Sequence, residues 1–257
     1  MFTTLRNAWK IPELRKKILF TLVVLLIYRL GNCVPVPYVN VTALTTYFST
    51  QLSNTVLGLY NAMSGSAFSQ ATVFALGIQP YINASIIIQL LTVAIPALER
   101  LAKEGGEEGR KKIASITRYT TVGIGLIMGF AYYMLIKNGV NGQSMLTADG
   151  AGVWPAIVII MTFMAGSALI MWMGELITQR GIGNGMSLII FANIIARLPS
   201  ALLDSIQNST DQMQGILMTV LIIAVILITI PGIVFIERGQ RRIPVQLSLI
   251  HISEPTR

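Results

Sequence analysis

NAMSGSAFSQATVFALGIQPYINASIIIQLLTVAIPAL (residues 61–98) closes a run of 69 residues, 30–98, without a charged side chain. A water-facing loop of that length would carry charges. A lipid-facing helix would not carry the hydroxyls and amides of VTALTTYFSTQLSNTVLGLYNAMSGSAFSQ (41–70). Irregular backbone at membrane depth is tolerated only inside protein or along a water-filled cavity. Residues 57–70 are therefore expected to form a short re-entrant segment in such a cavity, with an external loop bearing a surface helix as the plainer alternative.

Composition sets the class. Of 257 residues, 12% are charged, about half the ~25% of an ordinary soluble domain. Hydrophobic residues make up 53% and the mean hydropathy is +0.67. A soluble enzyme and a disordered chain are both disfavoured. One cysteine excludes an internal disulfide framework, and one histidine, His251, leaves little for His-based catalysis. The pattern is that of an all-α, multi-spanning membrane protein.

A helix needs about 20 mostly apolar residues to span the hydrocarbon core. Six stretches come close: 18–36, 71–95, 119–136, 153–173, 186–203 (interrupted by Arg197 and Pro199) and 216–236. A cleavable leader fits the N-terminus poorly, because about 17 basic, amphipathic residues precede the first stretch. Lys and Arg are retained on the cytoplasmic face. With the N-terminus inside, 15 of the 19 Lys and Arg fall on that face. The opposite face keeps Arg29, Lys137 and Arg197, and Arg257 lies in the tail. This partition accounts for the net charge of +8 better than nucleic-acid binding does.

The second span is unusual. Pro80 lacks an amide hydrogen and breaks or kinks the helix start. Asn83, Ser85 and Gln89 are polar groups within a span and should face protein or water. Ile82 and Ile86 are four apart and share a face, and the fifth span repeats the device with Met186 and Ile190. Such stripes commonly meet lipid or core. Brought together, they would make a dry constriction that gates by dewetting. In GELITQRGIGNGMS (174–187), the glycine spacing is wrong for a phosphate loop and fits a tight turn between close-packed helices. Glu175 is expected to be satisfied locally, near Gln179 and Arg180. ERLAKEGGEEGRKK (99–112) reads as a solvated hairpin tip sized to touch a cytoplasmic partner. Cys33 is expected to be a small buried apolar residue. There is no Ser–His or metal constellation within a span to suggest an intramembrane enzyme. A small-solute transporter with broken helices would want an ionisable coupling group at mid-depth, and no clear one is present.

Five blocks carry a resemblance: AWKIPELRKKILFTL (8–22), YRLGNCVPVP (28–37), NAMSGSAFSQATVFALGIQPYINASIIIQLLTVAIPALERLAKEGGEEGRKK (61–112), GELITQRGIGNGMSLIIFANIIARLP (174–199) and IERGQRRIPVQ (236–246). Together they resemble the SecY family, the pore subunits of the bacterial protein-export channel. The resemblance implies ten transmembrane helices in two inverted halves around an hourglass pore, with an aliphatic ring at the waist, a plug helix and a lateral gate. It places Ile82, Ile86, Met186 and Ile190 in the ring, Met186 departing from the more usual Ile. It places Leu57, Tyr60, Asn61, Met63, Ser64, Gly65 and Phe68 in the plug. Asn83, Ser85, Gln89 and Leu90 fall on the lateral-gate side, with the third span on the same wall. Arg110, Lys111, Lys112, Arg238, Arg241 and Arg242 would meet cytoplasmic partners. The implied partners are SecE and SecG, the SecA ATPase or the ribosome, signal sequences, nascent polypeptides and lipid. No cofactor and no nucleic-acid readout are implied, and the implied location is the bacterial plasma (inner) membrane.

On this reading residues 1–17 are a cytoplasmic amphipathic segment and 18–203 the first half-channel. Residues 204–246 supply an external loop, the sixth span and the start of a cytoplasmic loop. The last eleven residues, LSLIHISEPTR (247–257), look like a translated sequencing adapter and are expected to be a non-native tail. The chain would then be a fragment, inactive alone.

Overall fold

The computed structural model describes residues 11–53, 55–139, 144–150, 152–207 and 212–239. Its α-helices are α1 (Pro12–Gly31), α2 (Val41–Tyr47), α3 (Val56–Met63), α4 (Gln79–Ala94), α5 (Pro96–Lys103), α6 (Gly106–Asn138), α7 (Val153–Arg180), α8 (Gly185–Gln207) and α9 (Gln212–Glu237). Among the described residues strand pairing is confined to two isolated bridges, Pro35 with Thr72 and Val39 with Leu146. The chain divides into two compact units, Met1–Leu198 and Pro199–Arg257, at the proline inside α8.

Four helices, Gly106–Asn138, Val153–Arg180, Gly185–Asp204 and Met213–Glu237, are long and apolar enough to cross a membrane. A fifth crossing exists if α4 and α5 count as one span bent by 101°. Among the described residues, length and apolarity thus support four or five of the six expected spans. The shortfall is at α1, which carries Arg15, Lys16, Lys17 and Arg29 within its 20 residues. It also ends at Gly31 rather than running on to residue 36. The second span likewise starts at Gln79 instead of residue 71, with Pro80 in its first turn. That position wastes no hydrogen bond, because the first amides of a helix have no intrahelical acceptor. Ile95, forced toward extended backbone by the following proline, has φ −107° and ψ 113° and makes the bend into α5.

In the first unit α6 packs on α4 and α7, and α7 packs on α1. Two apolar clusters hold the unit together. One gathers Leu44, Phe48, Phe68, Leu76, Tyr132, Ile136 and Phe163. The other gathers Val24, Tyr28, Phe74, Ile78, Ile170, Ile177 and Ile189. Backbone bonds lace residues 34–40 between two neighbours: Val36 N–H donates to Ala71 O and Val73 N–H to Val34 O, each at 2.9 Å, and Asn40 N–H to Met145 O at 2.8 Å. Several hydroxyls of residues 41–52 bond back into their own turns, and Thr45 also donates to Ser69 O at 3.3 Å. Thr45 donates to Val41 O at 2.8 Å, Thr46 to Thr42 O at 2.9 Å and Thr50 to Thr46 O at 2.8 Å. Only Leu44 and Phe48 of that stretch are buried, so its helical turns bury one side.

The expected tight turn joins α7 to α8. A side chain at Gly185 would place its Cβ 2.0 Å from Gly174 O, so the two backbones touch. Thr178 Oγ1 accepts from Gly185 N–H at 2.9 Å, and Thr21 Oγ1 accepts from Ile182 N–H at 3.2 Å. Two expectations need correction. Glu175 is paired not with Gln179 or Arg180 but with Arg118 of α6, Nε to Oε1 at 2.8 Å. A neighbouring helix presents the guanidinium better than the side chain's own turn can. Cys33 is exposed, because α1 stops two residues earlier and the chain turns outward there.

The second unit is described by α9. It is uncharged from residue 213 to 236 and exposed along most of its length. Thr219 Oγ1 donates to Gly215 O at 2.8 Å.

Gly185→Val should prevent the α7–α8 approach, because backbone rather than a yielding side chain stands in the way. Its cost should be about 1–3 kcal/mol, the range of overpacked buried sites. Thermal unfolding in detergent checks this, with Gly123→Ala as the comparison at a helical site with open space around it.

Candidate functional site

The segment following α3 is the unusual part of the fold. Residues 64–78 form a succession of turns rather than a helix, yet Ala67, Phe68, Ala71, Phe74, Ala75 and Leu76 are each at most 5% exposed. A buried non-helical backbone must find partners for its amides and carbonyls. Asn61 closes the first turn: its backbone oxygen accepts from Ser66 N–H at 3.0 Å and its Oδ1 from Ser69 N–H at 2.9 Å. Ser64 Oγ accepts from Phe68 N–H at 3.2 Å and donates to Asn61 O at 3.0 Å. Tyr60 Oη donates to Leu76 O at 2.7 Å, and Tyr132 Oη donates to Phe68 O. The backbone of Val73 lies against α7 at Gly166, where a Cβ would fall 1.9 Å from Val73 O.

Phe68 is the hub of an aromatic cluster. Its ring centroid is 4.2 Å from that of Tyr132, 4.7 Å from Tyr60 and 5.2 Å from Phe48. Aromatic pairs at such distances add about 0.5–1.5 kcal/mol each beyond area burial. Beside the cluster is an apolar cavity of about 230 Å³ lined by Leu57, Tyr60, Phe68, Met128, Ala131 and Tyr132 among others. Of the remaining residues assigned to the plug, Met63 Sδ accepts from Gln79 Nε2 at 3.8 Å and Gly65 has φ +68°.

Three of the four residues expected to form a ring lie against one apolar cluster. Ile82, Met186 and Ile190 all pack against the Tyr28–Phe74–Ile177 cluster. Ile86 does not join them and is 51% exposed. Ile190 also shares a small crevice with Tyr60, Met63, Ser64, Gln79 and Asn193, so one residue expected in the ring and three expected in the plug line the same space. On α4, Asn83 Nδ2 donates to Met128 Sδ at 3.9 Å and so faces α6. Ser85 and Gln89 bond to each other at 3.4 Å. Leu90 is 67% exposed, in line with Ile86 and Val93.

The stretch 99–112 is a helical hairpin rather than an open charge run: α5 and α6 are separated only by Glu104 and Gly105. Arg110, Lys111 and Lys112 are exposed on the first turns of α6, and Arg238 is exposed past α9. The Glu99 carboxylate bonds Lys103 Nζ at 2.6 Å and holds that ammonium above its ordinary pKa. Arg241 and Arg242 lie outside the described residues, as does the tail 247–257. Among the described residues no three His, Cys, Asp or Glu side chains gather as metal ligands.

Sequence reasoning missed Tyr28, Tyr132, Phe163 and Asn193. The available signal was chemical: a hydroxyl or amide inside an apolar span needs a partner, and both tyrosines and Asn193 have one in the structure.

Residues 72–253 match the SecY family, a match that enters the tail set aside above. The chain is 45% identical over 251 residues to protein translocase subunit SecY of Streptomyces scabiei, covering 96% of this chain and 57% of the relative. It is 40% identical to the same subunit of Aquifex aeolicus (strain VF5), covering 94% and 56%. The chain thus spans little more than half the length of these relatives. Among solved structures, it resembles a protein conducting channel with a TM-score of 0.52 at 17% identity, covering 81% of this chain and 41% of that one. It also resembles canine Sec61 in a ribosome-channel complex from the endoplasmic reticulum, with a TM-score of 0.57 at 17% identity, covering 90% and 50%. At that identity the structural likeness bears on the fold alone. The small-solute transporter alternative is not favoured.

Tyr60→Phe leaves Leu76 O buried without its donor, which should cost about 1–3 kcal/mol and loosen residues 64–78 ahead of the helices. Hydrogen exchange on the full chain in nanodiscs checks this: protection should fall in that segment and hold in α6 and α7.

Proposed function

The chain belongs to the SecY family, and on that premise we propose that it forms part of the pore subunit of a protein-conducting channel. That channel passes unfolded polypeptides across the membrane and sideways into lipid. The observation that carries the reading is the buried non-helical segment 64–78, set beside Ile82, Met186 and Ile190. Residues 57–70 act as the plug and the three aliphatic residues as part of the ring. Ile86 adds to the ring from the exposed face of α4.

The chemistry suits such a role. A path for any polypeptide cannot depend on sequence-specific hydrogen bonds. An apolar ring wets poorly when empty and limits ion leakage, yet it yields around a moving chain without gripping it. The driving force comes from a motor or a ribosome, so the ring needs no catalytic group. Signal sequences leave through a lateral gate walled by α4, with Asn83, Ser85, Gln89 and Leu90 on that side, and by α6. SecE and SecG flank the subunit, and SecA or the ribosome docks on the hairpin carrying Arg110, Lys111 and Lys112 and on Arg238, Arg241 and Arg242. The charge partition puts the N-terminus and these basic segments in the cytoplasm of a bacterium.

The test uses residues 1–246 joined to the corresponding downstream part of the Streptomyces scabiei relative and reconstituted in planar bilayers. Ile86→Ser with Ile190→Ser should raise resting ion conductance several-fold, and removal of residues 57–70 should raise it as well. Wild-type conductance in the double variant would refute the ring. Wild-type conductance after the deletion would refute the plug.

A further inference from the structure

Three elements converge at Gly65. A side chain there would put its Cβ 3.2 Å from Asn193 Oδ1, 3.3 Å from Asn193 Cβ and 3.3 Å from Arg29 Nη1. The turn after α3 therefore lies against both a guanidinium from α1 and an amide from α8. Asn193 is 3% exposed, and its Nδ2 donates to Tyr28 Oη at 2.8 Å. Tyr28, 1% exposed, is itself fixed by stacking on Phe74, with centroids 5.5 Å apart and planes 12° from parallel. The tyrosine thereby decides which way the amide points. Asn193 Oδ1 is buried with no donor bound to it, and a buried acceptor in that condition is destabilising. Arg29 supplies five N–H donors in a rigid fork, and only a glycine stands between that fork and the oxygen.

We propose that Arg29 and Asn193 form a clasp across Gly65 that holds the re-entrant segment in its seat, with Tyr28 orienting the Asn193 carbonyl toward the guanidinium. A rotamer change of Arg29 closes the clasp. Glycine at 65 is then required twice: its φ of +68° disfavours any other residue, and a Cβ would stand between the two jaws. Arg29 and Asn193 are positioning residues, since each acts through where the segment sits. The clasp rests on the plug reading for its consequence and not for its existence.

The measurement is disulfide yield in the full chain reconstituted in lipid vesicles. The parent carries Cys33→Ser, Met63→Cys and Ile190→Cys, the last two on the walls of one crevice. Mild oxidation should cross-link the parent efficiently. R29Q and N193L should each lower the yield several-fold, Gly65→Ala should do the same, and R29K should restore most of it. Arg29 is exposed, so R29Q tests the clasp even if N193L fails to fold. Yields in R29Q equal to or above the parent's would overturn the proposal, as would R29K behaving like R29Q. Because this readout is a position and the plug test is a conductance, either can fail while the other stands.

Discussion

Everything distinctive about this fold follows from burying backbone that is not helical. In residues 64–78 the amides and carbonyls have no continuous i to i−4 ladder, and where they are buried they have no bulk water to turn to. Side chains take over: Asn61 and Ser64 from within the segment, Tyr60 and Tyr132 from its walls. These side chains add to the turn bonds that the backbone makes with itself. Close helix approach at Gly166 and the Phe68 aromatic cluster then complete a socket around the segment.

The two apolar clusters divide the work. The Phe68–Tyr132–Phe163 cluster ties the socket to α6 and α7. The Tyr28–Phe74–Ile177 cluster ties it to α1, α7 and α8, and it is this second cluster that Ile82, Met186 and Ile190 abut. Socket and aliphatic residues therefore share a foundation, and a change in one cluster reaches both. The surface ion pairs matter less. Arg118–Glu175 is partly exposed, with 46% and 21% of the two side chains accessible, and such a pair is worth about 0–1 kcal/mol.

Much of this was legible from residue order. The long apolar helices 106–138, 153–180, 185–207 and 212–237 declare themselves by hydropathy, and the glycines at 174 and 185 declare a tight turn. The unusual stretch was visible as polar residues without charge. Its extent was not, because 71–78 is apolar enough to pass for the start of a span while its backbone turns. Hydropathy reports what a side chain prefers to touch and not the dihedral angles that bring it there. The same limit hid the partners of Tyr132 and Asn193, which lie 64 and 165 residues away in sequence. It also produced the errors at Cys33 and Glu175, where the exact end of α1 and the presence of α6 decide the environment.

The bend at Ile95 has a mechanical side. Because α5 leaves α4 at 101° with only one extended residue between them, the pair is an L-shaped lever. A load on the exposed tip at Glu104 and Gly105 reaches α4 as a torque about the corner and not as tension along its axis. The arm that would swing carries Ile82 and Ile86.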